Sequence, residues 1–151
     1  MDQTIIISII SIVVSIITLI HSIYLQHYLS RKKATIEAFN KLQYEVLDKL
    51  VFDKKGNADL VVKNLDNPDC FKAYNDYRTL IARLEHFAIG VNQRIYSFKV
   101  VEMLAGSHLI SLFSKVEPII EKSNEYYPDK QNFKEFISLV EHLKKEREKR
   151  K

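Results

Sequence analysis

The sequence carries one cysteine and three glycines among 151 residues, and no charged side chain between Asp2 and Arg31. A lone Cys70 closes no intrachain disulfide and has no companions for a metal site, so it reads as a small core residue. No glycine-rich phosphate loop, zinc spacing or nucleophile elbow occurs. No cofactor or metal is therefore expected, and nothing in these motifs argues for an enzyme. Alternating strand patterns and internal repeats are also missing, which leaves helices.

The uncharged stretch is a run of isoleucine, valine and leucine from Ile5 to Ile20. About 20 apolar residues at a rise of ~1.5 Å cross a hydrocarbon core, so the run reads as a transmembrane helix. A cleaved secretory signal would put a basic residue before it and a small-residue cleavage site after it. Here Met1, Asp2 and Gln3 precede, and Tyr24, Leu25, Gln26 and His27 follow, so an uncleaved anchor is expected. Arg31, Lys32 and Lys33 come directly after the span and nothing basic precedes it. The positive-inside tendency then places the N-terminus outside and the remainder in the cytoplasm, a single-pass arrangement in the inner membrane.

Hydroxyls interrupt the run at Thr4, Ser8, Ser11, Ser15, Thr18 and Ser22, with Gln26 beyond. At about 100° per residue, with Ser8 at zero, all of them fall between about 280° and 360°, a single face about 80° wide. A hydroxyl can satisfy itself in lipid by bonding to the carbonyl four residues earlier. Confinement to one face points further, to a partner. Two readings follow: small polar residues that let helices pack closely, or a ring of identical helices turning hydroxyls toward a wet lumen. Both require self-association, because a single span has no second helix of its own to cover the stripe. With helices about 10 Å across, four in contact leave a hole of ~2 Å radius and eight leave ~8 Å. The pore reading thus expects a homo-oligomer of more than about four subunits, with membrane lipid around it.

The chain divides into a transmembrane helix, residues 1–29, and a cytoplasmic helical domain, residues 30–151. The fold class is all-α. About 120 residues are enough for one core but not two. Phe39, Leu42, Val46 and Leu50 recur at helical spacing, as do Phe71, Tyr74, Tyr77, Leu80, Leu84 and Phe87. From Ser30 to Phe52 there is no proline or glycine, so the span should continue unbroken as a rod of about 45 residues, ~70 Å long. A break is expected at FDKKGNAD, then a short helix over Asp59 to Leu65. Asn67 or Asp66 should cap a long helix that has Pro68 in its first turn and ends at Gly90, a glycine suited to a left-handed terminus. Ser97 and Ser107 read as caps of two further helices, with Gly106 between them and Pro118 kinking or restarting the second. After YYPDK, Phe133, Phe136, Ile137, Val140 and Leu143 line one side of a last helix ending in KKEREKRK. That basic tail is a solvated helix end whose cations suit the dipole, or a contact for RNA or acidic lipid. The net charge of +4 is spread among 19 acidic residues, so no dedicated nucleic-acid surface is indicated.

Among the histidines, His86 lies beside Arg78, Arg83 and Glu85. An arginine and a histidine on one helix resemble the HEPN ribonucleases, all-helical dimers with arginine, four to six residues, then histidine. The spacing here departs from that, because seven residues separate Arg78 from His86 and two separate Arg83 from it. An anchored HEPN-type ribonuclease using Arg78, Arg83 and His86 is therefore an alternative; otherwise Arg83 and Glu85 are surface or interface charges and His86 a partly buried polar side chain. A membrane receptor for a cyclic-nucleotide messenger is a second alternative, with Tyr74, Tyr77 and Tyr96 edging a basic pocket, although tyrosines at helical spacing are more often core residues.

YRTLIARLEHFAIGVNQRIYSFKVV, followed by AGSHLISLFSKVEPII, resembles a bacterial family of unknown function with one N-terminal span and a helical cytoplasmic domain. Leu80, Leu84, Glu85, Ala88, Gly90, Val91, Ile95, Tyr96, Gly106 and Pro118 carry the resemblance, and the family supplies no activity. In size, single anchor and degraded HEPN-like pair, the chain also resembles the small membrane accessory proteins of type VI-B CRISPR loci. That resemblance is one of organisation. It implies an oligomeric membrane pore that supports an RNA-guided nuclease in antiviral defence, functionally rather than by stable binding.

Overall fold

The computed structural model describes residues 3–50, 58–128 and 131–150. Met1 and Asp2, the stretch from Val51 to Asn57 that holds most of the expected FDKKGNAD break, and Asp129, Lys130 and Lys151 lie outside the described residues. The described elements are α1 (Gln3–Leu42), continued by a π-helical turn (Gln43–Leu47), α2 (Ala58–Lys63), α3 (Pro68–Asn92), α4 (Phe98–Tyr126) and α5 (Lys134–Glu148). They form an all-α fold, with no strand among the described residues.

The apolar run and the first helix of the domain are one rod, as expected. It is helical from Gln3 to Leu47, 45 residues, with a mean hydropathy of 2.5 in its most apolar window. That is long and apolar enough to cross a membrane. Every side chain from Gln3 to Ser30 is exposed. Beyond Arg31 the same helix enters the domain, where Thr35, Phe39 and Leu42 are buried. In the π-helical turn Asp48 donates its N–H to the Gln43 carbonyl at 3.0 Å. Val46 and Leu47 in this turn are both buried against the core.

α4 is the central element and packs against α1, α2, α3 and α5. Val101, Ala105, Leu109, Leu112, Val116 and Ile119 recur three or four residues apart and are buried, as is the adjacent Ile120. Each large aliphatic side chain in such a row contributes roughly 1.5–3 kcal/mol of burial. Two separate helices with a cap at Ser107 were expected, and a single helix of 29 residues is found. The physical reason is this uninterrupted apolar face, which crosses both Gly106 and Pro118. Pro118 costs the helix one N–H, and Gly106 lets α5 approach: a β-carbon there would touch Leu143 Cδ2 at 3.6 Å and Arg147 Nη2 at 3.5 Å.

The other helix ends follow local chemistry more closely. Asn67 caps α3, its side-chain oxygen accepting the Asp69 N–H, with Pro68 in the first turn as expected. The other end is corrected. α3 runs through Gly90 to Asn92, and the left-handed residue is Arg94, φ 60°. Gly90 serves close approach instead, because a β-carbon there would stand 2.4 Å from Tyr96 Cε2. Phe71, expected on the apolar face, is exposed, and Cys70 is only half-buried. Both sit in the first turn of α3, beyond the reach of the core.

Candidate functional site

Two regions hold the residues singled out from the sequence. The first is α1. Thr4, Ser8, Ser11, Ser15, Thr18, Ser22 and Gln26 all lie on its exposed surface. Ser8 donates its hydroxyl to the Thr4 carbonyl at 2.9 Å, Ser15 to Ser11 at 2.8 Å and Thr18 to Val14 at 2.8 Å. These hydroxyls therefore spend their proton on their own helix, which suits a bilayer. Each keeps an acceptor lone pair for a neighbour or a water. Farther along, Ser22, Gln26 and Lys33 border an open groove with Leu25 and Leu29.

The same rod meets the domain on a different face. Arg31 donates to the Tyr96 carbonyl at 2.8 Å. Thr35 donates to the Arg31 carbonyl at 2.7 Å and accepts the Ser97 N–H at 2.7 Å. Ser97 precedes α4 but makes no side-chain cap, and its own amide is satisfied by Thr35 from α1. Sequence reading missed that clamp. Its signal was present: Thr35 falls in register with Phe39, Leu42 and Val46, where an apolar residue would otherwise stand.

The second region is a cavity of about 390 Å³ between the inner end of α1 and α3, bordered by Lys41, Glu45, Arg83, His86, Phe87 and Tyr96. Arg83 and His86, three residues apart on α3, share this rim. Arg83 Nη1 binds Glu45 Oε2 at 3.1 Å and Lys41 Nζ stands 4.0 Å from Glu45 Oε1, so both cations face a carboxylate. Such exposed pairs contribute about 0–1 kcal/mol. His86 is exposed, not partly buried as expected, because the aromatic layer of Phe39, Phe87 and Tyr96 fills the space beneath it.

Arg78 is not part of that rim. Eight residues, ~12 Å of helix, separate it from His86. Its guanidinium lies 5.7 Å from the Tyr74 ring and 5.4 Å from that of Tyr127, near the start of α3. The structure thus brings Arg83 and His86 together and leaves Arg78 apart. Tyr74 and Tyr96 are also far apart. Tyr74 is core, and burial pushes its phenol above 10.0, with Arg78 opposing the rise. Ser123 also acts on this hydroxyl and opposes the rise. Tyr96 instead stacks on Phe87 at 5.4 Å.

Glu85 is more than a surface charge. Its carboxylate accepts the N–H of Glu135 at 3.0 Å and of Phe136 at 2.7 Å, capping α5 from a neighbouring helix. Glu102, with its side chain almost wholly buried, accepts from Arg150 at 2.9 Å, tying down part of the basic tail. Among the described residues no group of three or more His, Cys, Asp or Glu is gathered for a metal ion.

No curated protein and no solved structure matches the chain. No comparison links it to CRISPR accessory proteins or to HEPN ribonucleases. A family pattern covers residues 5–143, spanning the long apolar helix and the domain packed on its inner end. The chain belongs to that family, described as a domain of unknown function (DUF4760).

Proposed function

We propose that the protein is a homo-oligomer of more than about four chains whose α1 helices cross the membrane and turn their hydroxyl faces toward one another around a polar-lined pore. The carrying observation is one of phase. With Ser8 at zero, the hydroxyls cluster near about 320°, whereas the residues that dock the domain, Arg31, Thr35, Phe39, Leu42 and Val46, cluster near about 180°. The domain therefore hangs from the side of the rod away from the stripe. Copies can meet along their hydroxyls while their domains stay on the outside. Arg31, Lys32 and Lys33 favour an orientation with the N-terminus outside and the domain in the cytoplasm, where it sets assembly and gating.

The role is non-enzymatic in this reading, since Arg83 is engaged by Glu45 and Arg78 stands with the tyrosines. A place in CRISPR-associated antiviral defence, permeabilising or depolarising the membrane, rests on the organisational resemblance alone. The test is paired. Replacing Ser8, Ser11, Ser15 and Thr18 together by leucine should leave the particle mass in detergent unchanged and lower dye leakage from liposomes several-fold, because the lumen becomes narrow and dry. Dispersed subunits would instead assign the stripe to helix packing. A ring with full leakage, or a monomeric wild type, would reject the pore.

A further inference from the structure

The helix directions fix which part of the domain lies closest to the membrane. Passing from the inner end of α1 toward its apolar run, Glu45 meets Arg83 at 3.1 Å, Phe39 meets Phe87 with ring centroids 6.2 Å apart, and Arg31 meets the Tyr96 carbonyl at 2.8 Å. α3 is therefore antiparallel to α1, and the turn after it, residues 93–97, is the extremity nearest the apolar run. About 27 residues from Gln3 to Leu29 make ~40 Å of helix, the thickness of a bilayer with its headgroups. Arg31 then stands at the lipid surface, and the turn is bonded to Arg31.

The turn has the composition of a surface that meets lipid. Ile95 is 61% exposed at its tip, held out by the left-handed Arg94 before it and by the clamped Tyr96 and Ser97 after it. Cations flank it. Arg94 and Lys99 are exposed on either side, Lys32 lies 4.2 Å over the Tyr28 ring, and Lys99 is within electrostatic reach of the same tyrosine. An exposed isoleucine flanked by cations at headgroup level is complementary to anionic lipid, which attracts juxtamembrane basic groups and accepts apolar side chains at the acyl boundary.

We propose that the α3–α4 turn is a foot that rests on the anionic leaflet and seats Ile95 among its headgroups, fixing the domain's height and tilt relative to the span. The proposal rests on the membrane-spanning reading of α1, and one experiment separates the two. The chain contains no tryptophan. Full-length Ile95→Trp, Ile12→Trp and Phe71→Trp variants are reconstituted into vesicles of phosphatidylcholine and phosphatidylglycerol carrying brominated acyl chains, and into neutral vesicles. Ile12 reports the span, and Phe71, exposed at the far end of α3, reports a site remote from lipid.

The Ile95 variant should be quenched by bromolipid and shielded from acrylamide in anionic vesicles, several-fold more than the Phe71 variant, and less so in neutral ones. Behaviour like that of Phe71 while Ile12 is quenched would overturn the foot and leave the span standing. Shielding from acrylamide without bromolipid quenching would overturn it in favour of a protein contact. An unquenched Ile12 variant would remove the span and the foot together. Equal quenching of Ile95 in neutral vesicles would overturn the requirement for anionic lipid.

Discussion

The ring of Tyr96 is trapped on three sides: it stacks on Phe87 at 5.4 Å, its carbonyl is held by Arg31, and it lies where a side chain on residue 90 would go. Gly90→Ala puts a methyl 2.4 Å from Tyr96 Cε2, too close for ring and methyl to coexist. Overpacking of this kind costs about 1–3 kcal/mol. The expected outcome is a lowered urea midpoint for the detergent-solubilised protein. Adding Tyr96→Leu should recover part of the loss, because a smaller side chain vacates the contact; independent, additive losses would show that the two positions do not touch in solution. The sequence marks Gly90 as special but not why, since a glycine that permits a left-handed turn and one that permits close approach look alike until the partner is known. Tyr96 is six residues away and visible only once the chain has turned. Thr35 was legible in kind, as a polar residue in an apolar register, while its bond to Ser97, 62 residues later, was not.

α5 begins without a cap of its own. Gln131 and Phe133 have positive φ, and Phe133, in the capping position, has no oxygen to offer the first amides. Glu85 supplies two acceptors from α3, and Asn92 steadies the same turn by donating to the Glu135 carbonyl and carboxylate. Glu85→Ala should destabilise the domain by about 1–3 kcal/mol, because both amides lose a charged acceptor. Glu85→Gln should cost less, since its one remaining oxygen still accepts. Hydrogen exchange at the Phe136 amide, faster in the alanine variant than in the glutamine one, checks the assignment; unchanged exchange in both would reject it. Periodicity foretold α5 and the rod of α1 because each presents a regular apolar face. It divided α4 wrongly because Gly106, Ser107 and Pro118 resemble punctuation, and only the neighbours packed across them show that tertiary burial outweighs local propensity.

On the scale of the whole chain, the long apolar helix is exposed on every side and the domain grips its inner end from one side only. The hydroxyl stripe was legible from residue spacing, whereas the docking face required the fold. Their offset of about 140° yields a prediction about how copies would meet. In a ring of eight helices spaced about 10 Å apart, lumen-facing residues of neighbours come within ~8 Å, and outward-facing ones at the same depth are ~12 Å apart. Ser15 lies on the stripe and Ile17 about 180° from Ser8, at nearly the same depth in the span. Cys70 is the sole native cysteine, so Cys70→Ser gives a clean background. In membranes treated with a short thiol cross-linker, Ser15→Cys should produce a ladder of covalent oligomers and Ile17→Cys little beyond monomer. A stronger ladder from Ile17→Cys would mean that the helices meet on the face aligned with their domains. Equal ladders would mean random encounter, and in either case the hydroxyls would be back-bonded side chains facing lipid.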